Sequence, residues 1–325
     1  MFLFAPKITC PHCLAEIRIR KSLTSCPVCG GEIPPQYVYD YAQHPPFFVQ
    51  VFGWSQVGKT VFLQALTLML IKMSNIWPQY SWAALTDLSQ SRIREIRQYL
   101  AQGQMPGPTP RGVQDVYIML LKNMERWGSR TLVARDCAGE IFDSMHVPLE
   151  EAPYLLKAPT TFMLIGPEGD PSNTGGRSMD MLLNNYINTL LNHGVDFHRV
   201  GRRLVVVLTK GDRIMHLPAN LRQYLEDDPL WNAVNTPESV RQMDAHAMSQ
   251  YVNKMRRISD QLCAWIARDD SGKTFLRIAY AHNITLRFSL ISSTGDDVGS
   301  DGLLLSRLAP RRVLDPYFWA LEMQQ

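Results

Sequence analysis

From Phe47 onward, short apolar runs alternate with longer stretches in which apolar residues recur every three to four positions. This alternation is the pattern of βαβ units around a parallel sheet. The apolar runs predict strands over Phe47–Phe52, Val116–Leu121, Thr131–Arg135, Thr161–Ile165, Leu204–Leu208 and Arg287–Ile291, with Leu276–Tyr280 as a weaker candidate. The helical period predicts helices over Thr60–Met73, Leu88–Ala101, Arg177–Asn192 and Val240–Ala267. The last carries an apolar stripe interrupted by Arg256 and Arg257, as expected of a helix packed on one face. Loops rich in Gly, Pro and Ser occupy 103–112 and 166–177, and no internal repeat is visible.

The first residues break this pattern. Residues 1–36 are cysteine-rich and close on Gly30-Gly31-Glu32-Ile33-Pro34-Pro35, and the pair Pro45-Pro46 marks a boundary before the first long strand. The expected organisation is a small N-terminal unit over 1–36 and an α/β domain over 47–325. In that domain, helices cover both faces of a mostly parallel sheet, giving a three-layer αβα sandwich.

Composition narrows the class without naming a function. Hydrophobic residues make up 46% and charged residues 19% of the 325, the balance of a folded protein rather than a disordered one. The net charge of +3 gives no nucleic-acid footprint and no membrane-surface patch. Met1–Pro6 is too short an apolar stretch for a signal peptide. Val61–Met73 contains Gln64 and Lys72 and falls well short of the roughly 20 residues that span a bilayer. A soluble, cytoplasmic protein is expected.

Four of the six cysteines form the pairs Cys10-Pro-His-Cys13 and Cys26-Pro-Val-Cys29. A disulfide framework would spread its cysteines and need an oxidising compartment, whereas two knuckles at this spacing supply four thiolates to one tetrahedral metal. The closed site favours a structural Zn²⁺ that stands in for the small core of so short a unit. A rubredoxin-like iron site has the same spacing. Four cysteines fill the coordination sphere, so His12 is read as a neighbour rather than a ligand. Arg18, Arg20 and Lys21 are read as solvated, which puts docking of a protein partner ahead of nucleic acid.

Residues 53–60 read Gly-Trp-Ser-Gln-Val-Gly-Lys-Thr, a full G-x-x-x-x-G-K-[ST] match between an apolar strand and a long apolar helix. In such a loop the backbone N–H groups of Ser55, Gln56, Val57, Gly58, Lys59, Thr60 and Val61 can turn toward phosphate oxygens, with the helix N-terminus adding partial positive charge. Lys59 would reach the β- and γ-phosphates, and the Thr60 hydroxyl would ligate Mg²⁺. A second Gly-Lys-Thr at 272–274 has Ala267 where the first glycine belongs and is preceded by a helix, so it is set aside.

Two further strands end in suggestive residues. After Arg135 comes Asp136-Cys-Ala-Gly139-Glu140, where an aspartate at a strand end can hold Mg²⁺ through water and the Gly139 N–H can meet a γ-phosphate. After Leu208 comes Thr209-Lys210-Gly-Asp212, whose carboxylate suits the adjacent N–H and amine donors of guanine, a pair adenine lacks. The strand ending near Ile291 runs into Ser292 and Ser293, suited to backbone contacts with a base.

These four elements, in this order over about 47–300, resemble the P-loop GTPase superfamily of the translation-factor and Ras-like kind. The resemblance implies a switch that binds GTP or GDP with Mg²⁺ and hydrolyses GTP. Carried over by position, Gly53, Gly58, Lys59 and Thr60 belong to the phosphate loop, and Asp136 and Gly139 to the magnesium and γ-phosphate element. Thr209, Lys210 and Asp212 would form the base-recognition motif, and Ser292 and Ser293 the last base loop. The layout, with the ribbon and the closing Arg311-Arg-Val-Leu-Asp-Pro-Tyr-Phe-Trp319, also resembles the bacterial double-GTPase group of conflict and defence-type gene systems.

The departures from the family pattern carry consequences. Thr209 stands where the family most often has asparagine. Glu140 stands where Ras-like members place a water-orienting glutamine, and a carboxylate there opposes the γ-phosphate charge. A slow GTPase, or a nucleotide-dependent scaffold with little hydrolysis, is therefore expected. Thr109 is the candidate for the threonine that closes over Mg²⁺, with a turn-forming role as the alternative. Arg177 is the candidate for an internal arginine finger against an ordinary exposed arginine, and Cys137 reads as a small turn residue without a histidine partner.

Overall fold

The computed structural model describes residues 6–19, 23–102, 116–135, 153–158, 160–168, 170, 177–236, 243–295 and 308–324. Thr109, Asp136, Cys137, Gly139 and Glu140 lie outside the described residues, as do Arg20 and Lys21.

The cysteine unit is built on a short antiparallel pair, β1 (Lys7–Thr9) and β2 (Glu16–Arg18), followed by helix α1 (Pro35–Tyr39). The chain then enters β3 (Pro46–Gly53), α2 (Lys59–Lys72), β4 (Ser81–Ala84), α3 (Asp87–Gln102), β5 (Val116–Met124) and β6 (Gly128–Arg135). Next come α4 (Pro153–Lys157), β7 (Thr160–Ile165), α5 (Met179–Asn192), β8 (Arg202–Leu208), α6 (Ala219–Glu226) and α7 (Pro229–Asn235). The chain closes with α8 (Ala245–Ile266), α9 (Asp270–Ala281), β9 (Ile284–Leu290) and α10 (Asp315–Glu322).

Seven strands form one sheet in the order β4-β5-β6-β3-β7-β8-β9. β3 pairs in parallel with both β6 and β7, and the parallel run continues through β8 to β9, while β4 and β5 are antiparallel. The strand order departs in both directions from β3, so the loop after β3 sits at the topological switch point, where open α/β sheets bind ligands.

Strand periodicity sorts the core. Phe47, Val49 and Val51 of β3, Phe162 and Leu164 of β7, and Val205 and Val207 of β8 bury against α2, α7 and α10. Phe52, Met163 and Ile165, and Leu204, Val206 and Leu208 face the opposite layer with α5, α6 and α9. The expected αβα sandwich with a mostly parallel sheet is the observed architecture. Helix α8 wraps the β9 edge, giving Met248 and Met255 to one layer and Ile258 and Leu262 to the other. The Ser259 hydroxyl of α8 accepts the Phe288 amide of β9 at 2.9 Å.

One element is a correction. Leu276–Tyr280 lies inside helix α9, not in a strand. Asp269 caps that helix by accepting from the Gly272 N–H at 2.6 Å, and Phe275 and Ala279 bury one face four residues apart. The second Gly-Lys-Thr is the first turn of the same helix, so no loop exists there. The expected helix over Val240–Ala267 begins at Ala245 among the described residues, where Asp244 accepts from the Ala247 N–H at 2.7 Å. The edge strand β4 and the short helices were not anticipated, being too short to show a period.

The cysteine unit does not stand apart. Ile8, Leu14, Ile17 and Ile33 share a buried cluster with Phe48, Val116, Ile118, Val133, Tyr154 and Ala158 of the sheet and α4. Tyr37 donates to the Thr9 carbonyl at 2.7 Å and fastens α1 beneath the unit.

Candidate functional site

The loop between β3 and α2 is shaped by two glycines with different reasons. A Cβ on Gly53 would lie 2.6 Å from the Leu164 carbonyl oxygen of β7, so only glycine lets the loop leave the sheet so closely. Gly58 caps α2 with φ +94°, a left-handed conformation that side chains resist. The first N–H groups of α2, from Lys59, Thr60 and Val61, have no partner within the helix, and a helix N-terminus of this kind suits an anion. The Lys59 ammonium is buried and donates to the Gly53 carbonyl at 3.2 Å and the Trp54 carbonyl at 2.9 Å, so it lies within the loop's own curve. Ser55 and Thr60 are half-buried and Gln56 is exposed.

The loop after β8 is tied to it. Thr209 is buried, and its hydroxyl lies 3.0 Å from the Val57 carbonyl and 3.1 Å from the Ile165 carbonyl. Lys210 adopts a left-handed conformation (φ 51°) and donates to the Gln56 carbonyl at 3.0 Å and to the Asp170 carboxylate at 2.6 Å. Three loops, following β3, β7 and β8, are thus joined by two adjacent side chains. Nothing in the sequence marked Asp170; it sits in a Gly- and Pro-rich loop 40 residues from its partner.

Asp212 follows in a tight turn, and its Oδ1 is buried with no hydrogen-bond partner among the described residues. A carboxylate oxygen in that condition is costly unless a donor reaches it. The turn is fixed from beneath, because the Gly211 N–H donates to the Ile291 carbonyl at 2.9 Å. Ser292 is buried and exchanges backbone hydrogen bonds with Arg311, at 3.1 and 2.7 Å. Its hydroxyl accepts from the Gly295 N–H at 2.9 Å, and Ser293 lies half-buried beside it. Lys59, Thr209, Lys210, Asp212, Ser292 and Ser293 therefore gather at the carboxyl ends of β3, β8 and β9. β6 ends at Arg135, which pairs with Gln50 of β3. The Arg177 guanidinium stacks over the Trp54 ring at 5.9 Å to the ring centre, which brings it to the flank of the same loop.

The second constellation is the cysteine cluster. The four sulfurs of Cys10, Cys13, Cys26 and Cys29 all lie within 4.8 Å of one another. The Cys10–Cys29 and Cys13–Cys26 separations are both 3.8 Å. A tetrahedron with metal–sulfur bonds of about 2.3 Å has edges of about 3.8 Å, so the geometry fits a tetrathiolate metal. The backbone N–H groups of His12 and Val28 each point at a sulfur, of Cys10 and Cys26 respectively, at 3.3 Å. Burial pushes the Cys10 and Cys13 thiols up, and a bound cation would favour their thiolate forms. His12 turns away from the sulfurs, with Nε2 2.7 Å from the Glu32 carbonyl.

A third buried group centres on Arg312, near the end of the chain. The Arg312 guanidinium is held against the Tyr224 ring at 3.7 Å and donates to the Tyr224 carbonyl at 2.8 Å. Its backbone N–H reaches the Asp228 carboxylate at 2.6 Å. Tyr224 donates to Asp315 at 2.5 Å, and Tyr251 donates to its other oxygen. The closing arginine-rich segment is thus a structural lock between α6, α7, α8 and α10.

No protein-family model matches the chain, and no curated protein matches it. Among solved structures it is similar to the crystal structure of the S. cerevisiae Ski7 GTPase-like domain bound to GDP and inorganic phosphate. The identity is 12% and the TM-score 0.34, over 88% of this chain and 52% of that one, so this chain spans about half of that structure. A likeness this loose does not extend to individual site residues.

Proposed function

We propose that the chain is a guanine-nucleotide-binding switch that hydrolyses GTP, carrying a zinc ribbon as a docking module for a protein partner. The observation that carries this reading is the Oδ1 of Asp212, buried and without a hydrogen-bond partner among the described residues, on a loop fastened to the Gly53–Thr60 loop through Thr209 and Lys210. The two N–H donors of guanine match a carboxylate in that position, and adenine presents no such pair. On this reading Gly53 to Val61 cradle the phosphates, and Lys59 exchanges the Gly53 and Trp54 carbonyls for phosphate oxygens. Lys210 lies along the base, and the loop of Ser292 and Ser293 closes its far edge. Thr60 would hold Mg²⁺ together with Asp136, and the ion would neutralise charge between the β- and γ-phosphates. Gly139, Glu140 and Thr109 complete the proposal for the γ-phosphate side.

The ribbon's four thiolates would hold Zn²⁺ in a closed structural site. No described helix is long and apolar enough to cross a membrane. The test of function is equilibrium binding of labelled GTP, GDP and ATP with Mg²⁺, repeated for Lys59→Ala and Asp212→Ala. Guanine preference lost in both variants supports the reading. Binding of ATP as tight as that of GTP overturns it.

A further inference from the structure

At the opposite end of β8 and β9 from the loops described above, a cavity of about 180 Å³ opens between the sheet, α8 and α10. Arg203 of β8, Thr285 and Arg287 of β9, Arg256 of α8, and Trp319 and Glu322 of α10 line it. Arg203 lies five residues before Leu208, about 16 Å along the strand from the base-side loop. This is a separate place on the molecule.

The charges lining the cavity do not balance. Glu322 is the one carboxylate in the lining, and both its oxygens are taken. Oε1 accepts from Arg126 Nε at 2.7 Å and from Trp127 Nε1 at 2.9 Å. Oε2 accepts from Arg126 at 3.0 Å and from Arg256 at 2.9 Å. The Arg203 side chain has no hydrogen bond or ion pair among the described residues, and Arg287 has no carboxylate partner among them. Arg287 is nonetheless held in place, its guanidinium over the Trp319 ring at 5.2 Å and one nitrogen on the Leu286 carbonyl at 3.1 Å. Arg256 is likewise anchored, on Asn253 at 3.1 Å and on Glu322. Two guanidinium groups with no compensating carboxylate among the described residues, one of them preorganised, line one concave space.

We infer that this cavity is a second anion site, built to take a small phosphoryl oxyanion of diphosphate size. Guanidinium forks match tetrahedral oxyanions, and two such groups lining one partly desolvated cavity strengthen that match. The volume equals the liquid share of about six water molecules, which gives room for a phosphate or diphosphate. Thr285 adds a hydroxyl donor on the sheet side.

The test uses the full-length Lys59→Ala protein, in which the phosphate loop is disabled, and titrates it with inorganic pyrophosphate without Mg²⁺ at low ionic strength. One saturable site is expected, weakened at least tenfold by Arg203→Ala and by Arg287→Gln. Acetate should not compete at the same concentration. Thermal unfolding of both variants controls for folding, and the two substitutions guard against either one acting through stability. Absence of pyrophosphate binding in Lys59→Ala overturns the inference. So does binding indifferent to both arginine substitutions, or equal competition by acetate. Loss of guanine preference elsewhere leaves this result unaffected, so the two proposals fail separately.

Discussion

The Tyr154 hydroxyl donates a hydrogen bond to the carbonyl of Pro11, the residue after the first cysteine of the ribbon. The same ring carries the Arg135 guanidinium at 5.7 Å, at the last residue of β6. Helix α4 is itself fixed by Arg202, which donates to the Leu155, Leu156 and Ala158 carbonyls. Through one tyrosine, the first knuckle is fastened to the strand that leads into Asp136-x-x-Gly139. Replacing Tyr154 by Phe leaves the Pro11 carbonyl without its donor. Stability should fall by about 1–2 kcal/mol, read from chemical denaturation, and a chelator should strip metal faster. Unchanged stability and unchanged metal release would show the contact to be incidental.

Gly53→Ala should damage the site without a large change in surface chemistry. The added methyl would press on the Leu164 carbonyl at 2.6 Å, and backbone cannot give way as a flexible side chain can. A loss of about 1–3 kcal/mol in stability and at least tenfold in nucleotide affinity is expected, measured by thermal melts and fluorescent-nucleotide titration.

Thr209→Val removes the hydroxyl that reaches Val57 and Ile165 while keeping its volume. Nucleotide affinity should fall about tenfold, as expected for one lost buried hydrogen bond of about 1.4 kcal/mol. Thr209→Asn, which restores a donor, should recover most of it.

Asp315 gives the pH dependence. Burial raises its carboxyl to about 6, against the opposing charge of Arg312 and the hydrogen bonds from Tyr224 and Tyr251, with Asp228 adding to the rise. Its folded value lies above the ordinary 3.8, so the native state holds a proton that the unfolded chain has already released. This group's contribution is fully present below about pH 4 and is lost as pH rises through 6, a change on the order of 3 kcal/mol. Urea midpoints of wild type and Asp315→Asn between pH 4 and 7 should differ in slope, with the variant flatter.

Much of the site was legible because its chemistry is local in sequence. Gly53 to Thr60 lie on eight consecutive residues, and the cysteine pairs declare a tetrahedron by spacing alone. The strands with continuous apolar runs, such as Leu204–Leu208, were placed correctly. Leu276–Tyr280 misled because a short apolar run fits either a strand or the buried face of a helix, and the Asp269 cap decided it. Asp170, Tyr154 and Arg203 were invisible for a different reason. Each acts through a partner distant in the chain, and no spacing rule connects them.

The measurement that bears most directly on the central claim is nucleotide choice by Asp212→Asn. An amide there offers an N–H where the carboxylate accepted one, so it should oppose the guanine amine and donate to the carbonyl that xanthine carries in its place. Affinity for GDP should fall at least 100-fold while XDP gains by a similar factor, with Lys59→Ala abolishing both. An Asp212→Asn protein that still prefers GDP over XDP as wild type does would contradict the assignment of Asp212 to the base.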